Sequence, residues 1–223
     1  TLILALSFAV LATSCNKDKG GTPLPDLARI SFLNAGTAAD SLNFFIDTQK
    51  VNNKPLAYRD TFLYKNVWAG NRSIELKSKS NQSLFKKSLT VEKNKSYSLF
   101  AVNASEAGAA ELLQVTDNLT APADNKAKIR FVNLTAGTDK LDFTTSDDVK
   151  LAENVAYKSA ADFKELDAKK TSFKIVNAGD KSVLLELKDV QLDNGRIYTV
   201  WLTGVKNATD DKMKPKANLF INK

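Results

Sequence analysis

The amino-acid sequence predicts an all-β protein built from two tandem immunoglobulin-like β-sandwiches. Short runs of alternating apolar and polar residues recur along the chain, as at Ile30 and Phe32, and turn formers such as Asn177-Ala178-Gly179-Asp180 separate them. The runs are rich in aromatic and β-branched residues, which favour strands. No segment sustains the 3.6-residue apolar spacing of a helix, and the strongest candidate, residues 159–170, is short and mostly polar. Regular short strands with turns between them are typical of sandwiches.

An internal repeat predicts the number of sandwiches. Residues 28–34 read ARISFLN and residues 127–133 read AKIRFVN, an offset of 99 positions. We therefore expect a tandem duplication. The first sandwich is predicted at residues 27–123 and the second at residues 124–223, because units of about 100 residues have a common domain size.

One spacing within the repeat is typical of immunoglobulin-like sandwiches. Val91 to Tyr97 and Leu192 to Tyr198 each span a polar turn that ends with a tyrosine at the start of an apolar strand. A tyrosine in this place often turns its hydroxyl back to the chain a few residues upstream, which forms a tyrosine corner. The alternative is an ordinary core tyrosine with its hydroxyl at the surface.

The chain has one cysteine, Cys15, where an uncharged apolar run from Leu2 to Ala12 meets a polar stretch. A run of about 11 residues is too short to cross a hydrocarbon core, which needs about 20, but it suits a secretory signal. The string LATSC resembles a bacterial lipoprotein signal, which is cut before its cysteine once lipid is attached to the sulfur. We expect a truncated signal peptide at residues 1–14 and a lipidated tether at residues 15–26.

Lipidation at Cys15 would fix the location of the protein. The signal implies an outer-membrane lipoprotein of the cell envelope that faces the periplasm or the cell surface, with the membrane as a partner through the lipid anchor. With Cys15 lipidated no thiol remains, so no disulfide and no thiolate metal site is expected. The alternative is a buried free cysteine, since cysteine is often fully buried.

Three stretches of the chain, two of them present in both copies, resemble one known family, the bacterial domain-of-unknown-function 4397 family. The stretches are residues 28–47 with 127–144, Leu56-Ala57-Tyr58 with Val155-Ala156-Tyr157, and the alanine-glycine turn and strand of residues 69–76. The second copy departs from the pattern at Asp167-Ala168-Lys169-Lys170, where the glycine is missing, so we expect a different turn there. The resemblance implies an all-β domain outside the cytoplasm, and it carries no known activity and no functional residues to transfer.

The composition argues against most enzyme chemistry. The chain contains no histidine, so serine and cysteine hydrolases of the histidine-based kind and imidazole metal sites lose their central residue. Clustered carboxylates could hydrolyse glycosides or hold calcium, and the candidates are Asp139, Asp142, Asp147, Asp148 and the pair Asp210-Asp211. Aspartate is also a common turn former, and we interpret these residues as solvated turns. No catalytic residue, cofactor or metal site is predicted.

The positive charge of the chain is concentrated in the first copy. Residues 28–104 contain 12 basic and 5 acidic residues, whereas residues 127–223 contain 17 basic and 14 acidic ones. An excess of this size can attract acidic polysaccharide, lipopolysaccharide phosphate or nucleic acid. Lysines on solvent-facing strand edges also keep a sheet soluble and prevent edge pairing, which is the alternative interpretation.

Aromatic residues of the first copy are candidates for a sugar-binding surface. Trp68 precedes the Ala69-Gly70 turn and corresponds to Asp167 in the second copy, which indicates an exposed position. Tyr64 on the same predicted strand and Arg72 beyond the turn complete the candidate ligand surface. Core packing is the alternative for the aromatic residues.

These observations predict a non-catalytic binding or structural module of the cell envelope. The partners considered are glycans or anionic polymers, with no specific nucleic acid expected. A structural or adhesive spacer that binds an envelope protein is the alternative, and a carboxylate-based enzyme is a distant third.

Overall fold

The computed structural model describes residues 26–103 and 109–223, and within them every regular element is a β-strand. The strands form four sheets that pair into two sandwiches, which confirms the predicted all-β fold class. Cys15 and the predicted signal peptide lie outside the described residues. In the part of the chain that is described, no helix is long and apolar enough to cross a membrane.

The first sandwich contains the strands up to Asp117. They are β1 (Leu27–Asn34), β2 (Ser41–Ile46), β3 (Gln49–Lys50), β4 (Leu56–Ala57), β5 (Thr61–Trp68), β6 (Gly70–Ser78), β7 (Ser83–Val91), β8 (Ser96–Asn103) and β9 (Ala110–Asp117). One sheet has the order β5-β1-β8-β9, with β1 and β8 parallel. The other has the order β3-β2-β6-β7, and β4 pairs with β2.

The second sandwich begins at Lys126. Its strands are β10 (Lys126–Ala136), β11 (Leu141–Thr145), β12 (Lys150–Val155), β13 (Ser159–Ala160), β14 (Lys164–Asp167), β15 (Lys170–Asn177), β16 (Val183–Gln191), β17 (Ile197–Val205) and β18 (Lys216–Ile221). The sheet orders are β13-β10-β17-β18, with β14 also pairing with β10, and β12-β11-β15-β16. Strands β10 and β17 are parallel, as β1 and β8 are.

Each sandwich buries a core of its own between its two sheets. In the first, Phe32 and Phe44 bring their ring centroids within 4.6 Å. In the second, Phe143 stacks between Phe131 and Phe173 at 5.3 and 5.1 Å. These residues come from the alternating runs, so the apolar face of each strand is buried against the opposite sheet.

A third core lies between the two sandwiches. It combines residues of β1 and β8, such as Leu33 and Phe100, with residues of β10 and β17, such as Val132 and Trp201. The ring centroids of Phe100 and Trp201 are 6.1 Å apart, and both side chains are fully buried. The sheets β5-β1-β8-β9 and β13-β10-β17-β18 therefore pack face to face, and their central strands β1, β8, β10 and β17 are buried on both faces along most of their length.

The two predicted tyrosine corners are confirmed. The Tyr97 hydroxyl accepts a hydrogen bond from the backbone N–H of Glu92 at 3.0 Å, and the Tyr198 hydroxyl accepts one from Asp193 N–H at 2.9 Å. Each bond reaches five residues upstream and closes the turn before β8 or β17. Both tyrosines are buried, so the bond also satisfies a hydroxyl that water cannot reach freely.

Candidate functional site

Trp68 stands exposed at the end of the edge strand β5. Trp68 is 59% exposed, which is uncommon because tryptophan side chains are highly buried on average. It lines a cavity of about 350 Å³ together with Arg72. The cavity lies along β5, with Lys65, Asn66 and Val67 on that strand, and is closed on the other side by residues around β3.

The Ala69-Gly70 turn positions Trp68 and Arg72 next to each other. Gly70 has a φ of 106°, a conformation that residues with a side chain rarely adopt. A Cβ atom at this position would lie 3.6 Å from Arg72 Nη2, an ordinary contact distance, so the backbone conformation rather than a lack of space favours glycine. In the second sandwich β14 and β15 are joined through Ala168 and Lys169, so the expected difference in the turn is present.

Arg72 is held against the floor of the cavity by Asp47. Arg72 Nη1 donates to Asp47 Oδ2 at 3.0 Å, and the backbone N–H of Ser73 donates to Asp47 Oδ1 at 3.0 Å. Asp47 itself has a φ of 55° in the turn between β2 and β3. Within the described residues the Nε atom of Arg72 is buried and lacks a hydrogen-bond acceptor.

The remaining polar side chains of the cavity suit a hydroxylated or anionic ligand. Lys50 and Lys65 contribute ammonium groups, and Gln49, Asn53 and Asn66 contribute amides. An exposed indole surrounded by amides and cations offers a flat apolar surface beside hydrogen-bond donors and acceptors. The arrangement can therefore bind a sugar ring through its apolar face and its hydroxyl groups.

The structure does not bring Tyr64 into this cavity. The Tyr64 hydroxyl donates to Asp117 Oδ2 at 2.6 Å and accepts from Asn222 Nδ2 at 2.8 Å, and its ring packs against the core between the sandwiches. Burial, and then the negative charge of Asp117, raise the pKa of the Tyr64 phenol to about 12. The candidate surface therefore reduces to Trp68 and Arg72, because Tyr64 is already engaged inside the molecule.

Tyr64 belongs to a buried polar network that connects the two sandwiches. Arg130 Nη2 lies 2.5 Å from Asp117 Oδ1, and both side chains are inaccessible to solvent. Arg130 Nε donates to Thr199, Thr199 donates to Asn222, and Asn222 donates to Tyr64, so the hydrogen bonds form a closed ring. Sequence reasoning missed this network. Its one signal is an arginine within the otherwise apolar residues Ile129, Phe131 and Val132 of β10.

The profile of one protein family matches the chain. The family is described as Domain of unknown function (DUF4397), and the match covers residues 28–144, more than half of the chain. The chain belongs to this family. No curated protein matches the sequence significantly.

Several solved structures resemble this DUF4397 protein at low similarity. The C-terminal domain of AlgF from P. aeruginosa is 23% identical with a TM-score of 0.34, and the alignment covers 44% of this chain and 98% of that one. The CBMbc module (family CBM26) of Eubacterium rectale Amy13K, in complex with maltoheptaose, is 14% identical with a TM-score of 0.28, covering 86% and 96%. A streptococcal virulence factor, solved in a study of alpha-glucan binding, is 11% identical with a TM-score of 0.25, covering 82% and 95%. Similarity at this level carries no information about function.

The interpretation of the acidic residues as solvated turns is wrong for Asp142, which lies within strand β11. Asp142 is buried and accepts hydrogen bonds from Lys181 Nζ at 2.9 Å and from Asn154 N–H at 2.8 Å. Asp148, in an exposed turn, pairs with Lys174 at 3.2 Å. Among residues 26–103 and 109–223, no group of three or more acidic side chains is placed to hold a metal ion.

Proposed function

We propose that this DUF4397 protein is a lipid-anchored module of the bacterial cell envelope that binds glycans through its first sandwich without catalysing a reaction. The observation that carries the proposal is the exposed indole of Trp68 above a cavity whose polar lining includes three amides and three cations. Glycan rings have one apolar face and a rim of hydroxyl groups, so an exposed aromatic with adjacent amides complements them.

A non-catalytic role is supported by the pairing of the carboxylates. Glycoside hydrolysis needs two carboxyl groups on opposite sides of one scissile bond, about 5–10 Å apart. The carboxylate in the Trp68 cavity, Asp47, is engaged by Arg72 and by a backbone N–H. It therefore serves to orient Arg72, and the cavity offers binding groups rather than an acid and a base.

The test compares two exposed apolar residues of the same strand. Trp68→Ala and Leu63→Ala are made in the chain from residue 16 onward, and binding to a panel of neutral and acidic polysaccharides is measured by affinity electrophoresis and calorimetry. Leu63 is 68% exposed but does not line the cavity, so it is the matched control. We expect Trp68→Ala to lower affinity about fivefold or more, because a lost stacking contact is worth about 1 kcal/mol or more. Equal affinity of the two variants would contradict the proposal, and absence of binding by the parent chain would favour a protein partner.

The anchor is tested separately. Lipidation of Cys15 would hold the protein at a membrane through acyl chains, so Cys15→Ala in the full-length precursor should move the processed protein from the detergent phase to the aqueous phase. Metabolic labelling with a fatty acid should mark the parent protein and not the variant. A variant that still partitions into detergent would contradict the anchor.

A further inference from the structure

We infer that the Trp68 cavity is one end of a longer groove, which crosses β5 at Asn66 and continues into a cleft beside the second sandwich, and that the ligand of this groove is a linear anionic polysaccharide. The inference rests on the proposed glycan-binding function and extends it in two ways. It gives the ligand a minimum length, and it gives the ligand a charge.

The groove consists of two cavities that share one residue. The second cavity has a volume of about 810 Å³ and is lined by Arg29 and Lys95 of the first sandwich and by Asp162 of the second. Asn66 lines this cavity and the Trp68 cavity alike. Both volumes lie within or near the range of about 300–1,000 Å³ that small-molecule sites occupy. A ligand that fills both must therefore pass over Asn66.

The register of the sheet places the groove residues in rows. Trp68 is opposite Leu27, and Asn66 is opposite Arg29, which in turn is opposite Ser96 of β8. Ser96 is opposite Asp117 at the end of β9. Three strand spacings of about 4.8 Å give this row a width of about 14 Å. The floor of the groove is therefore wide enough for several consecutive sugar units.

The walls of the second cavity are rich in groups that hydrogen-bond to hydroxyls. They include three amides and three hydroxyls, namely those of Asn66, Asn94, Asn118, Ser96, Thr116 and Thr120. A sugar presents many hydroxyl groups, each a donor and an acceptor, and amides and hydroxyls complement both functions. This lining argues for a glycan rather than for an apolar ligand.

The charges along the groove argue for an anionic ligand. Four cations line the two cavities and belong to none of the ion pairs found within the described residues, namely Lys50, Lys65, Arg29 and Lys95.

The carboxylates of the groove are fewer, and two of them are neutralised by arginines. Asp47 pairs with Arg72, and Asp117 pairs with Arg130. Asp162 is exposed at the far wall. Four unpaired cations against one exposed carboxylate leave a positive groove.

Arg29 is held in place for this role by the buried network. Its guanidinium lies 5.0 Å from the centroid of the Tyr64 ring, and the Tyr64 hydroxyl is fixed by Asp117 and Asn222. A cation stacked on an immobilised ring loses little conformational entropy when a carboxylate or sulfate binds it. Tyr64, which the sequence analysis assigned to the ligand surface, therefore positions Arg29 in the groove.

The second sandwich has ion-paired side chains at the positions of Trp68 and Arg29. Asp167, at the position of Trp68, pairs with Lys126 at 2.6 Å. Lys128, at the position of Arg29, lies 3.7 Å from Glu165. Because the aromatic residue is absent and Lys128 already has a partner, the second sandwich does not repeat the Trp68 and Arg29 end of the groove, and it contributes one wall.

The experiment measures affinity as a function of ligand length. Oligogalacturonates from two to ten units are titrated against the chain from residue 16 onward, and carboxyl-reduced oligomers of the same lengths are the neutral control. We expect affinity to rise with each added unit until the groove is filled and then to reach a plateau. The acidic series should bind at least tenfold more tightly at low salt and lose this advantage at 1 M salt, where the Debye length is about 3 Å.

Two pairs of variants separate the groove from the Trp68 cavity. Arg29→Ala with Lys95→Ala should weaken the long acidic oligomers at least tenfold and leave the dimer unchanged. Lys86→Ala with Lys87→Ala removes the same charge from exposed positions of β7 outside the groove and should change affinity less than twofold. All four side chains are exposed, so the variants should retain their fold. The single variant Lys95→Ala is a second test of the groove, and it too should weaken binding of the long acidic oligomers.

The outcomes are distinguishable. If the Arg29 and Lys95 variants match the Lys86 and Lys87 variants while Trp68→Ala still weakens binding, the groove is wrong and the glycan-binding function stands. Equal affinity for acidic and reduced oligomers would overturn the anionic ligand. If the parent chain binds neither series and no other polysaccharide, the proposed function itself is wrong.

Discussion

The two sandwiches share one strand order and use equivalent positions in opposite ways. Trp68 at the end of β5 is exposed above a cavity, whereas Asp167 at the end of β14 forms an ion pair with Lys126 on the neighbouring strand β10. The turn that follows Trp68 needs Gly70 at positive φ, and the turn that follows Asp167 does not. A β-sandwich therefore keeps its core when the residues at a strand end change, so one copy can carry a binding surface that the other lacks.

The same comparison applies to the faces that meet between the sandwiches. Ser31 pairs with Ser98 in the first, and Arg130 pairs with Thr199 at the equivalent place in the second. Arg130 of the second sandwich forms an ion pair with Asp117 of the first, so this ion pair links the two related faces. The interface is built from matching apolar positions and is made asymmetric by one buried arginine.

The largest expected effect comes from removing that arginine. Arg130→Met leaves Asp117 as a buried, unpaired carboxylate, which should lower the free energy of unfolding by about 3–5 kcal/mol. Lys126→Met, which breaks the exposed pair with Asp167, should cost about 0–1 kcal/mol. Urea denaturation of both variants measures the difference. The double variant Arg130→Met with Asp117→Leu should recover most of the loss, and a loss as large as that of the single variant would show that the charge pair is not its cause.

A smaller effect is expected from the pH dependence of Tyr64. Because the pKa is about 12 in the folded protein and about 10 in the unfolded chain, the folded state keeps a proton that the unfolded state loses between these values. Stability from this group is complete below pH 10 and is lost as pH rises toward 12, by about 1.4 kcal/mol per pH unit.

Tyr64→Phe gives the first sandwich the residue that the second has at the equivalent position, Phe163. The difference in unfolding free energy between the parent and this variant should shrink as the pH rises from 10 to 12, as measured by denaturation at fixed pH. A difference that stays constant over this range would contradict the role of the Tyr64 proton.

The smallest effect should be the same in both sandwiches. Tyr97→Phe and Tyr198→Phe each remove a hydroxyl that accepts one backbone N–H, so each should cost about 1–2 kcal/mol. Equal losses of unfolding free energy in urea denaturation would indicate that the two tyrosine corners contribute equally to stability. A loss confined to one variant would indicate that in the other variant the backbone N–H forms a hydrogen bond with water.

Trp68 and Arg72 of the candidate site could be predicted from the sequence, and the other residues that line the cavity could not. The replacement of Trp68 by aspartate in the second copy pointed to an exposed position, and the structure gives Trp68 an exposed side chain. Tyr64 lies four residues before Trp68 on the same strand, so the alternation of side chains predicts the same face for both. Its hydroxyl is instead bonded to Asp117 and Asn222, which are 53 and 158 residues away, and no local pattern reports contacts at such separations.

The sequence by itself determined the strands, their pairing into sandwiches and the tyrosine corners. Those features depend on the alternation of side chains and on short spacings, which act within one strand or one turn. Only the tertiary structure decided what covers the second face of β1 and β10. Alternation shows that a strand has two faces, but the pair Ser31 and Leu33 is compatible with either a solvent-facing or a buried face. Burial of the Arg130 charge is tolerated because Asp117 of the other sandwich forms an ion pair with it. The groove that we propose begins at this junction, and it exists because two separately specified sandwiches share a third core.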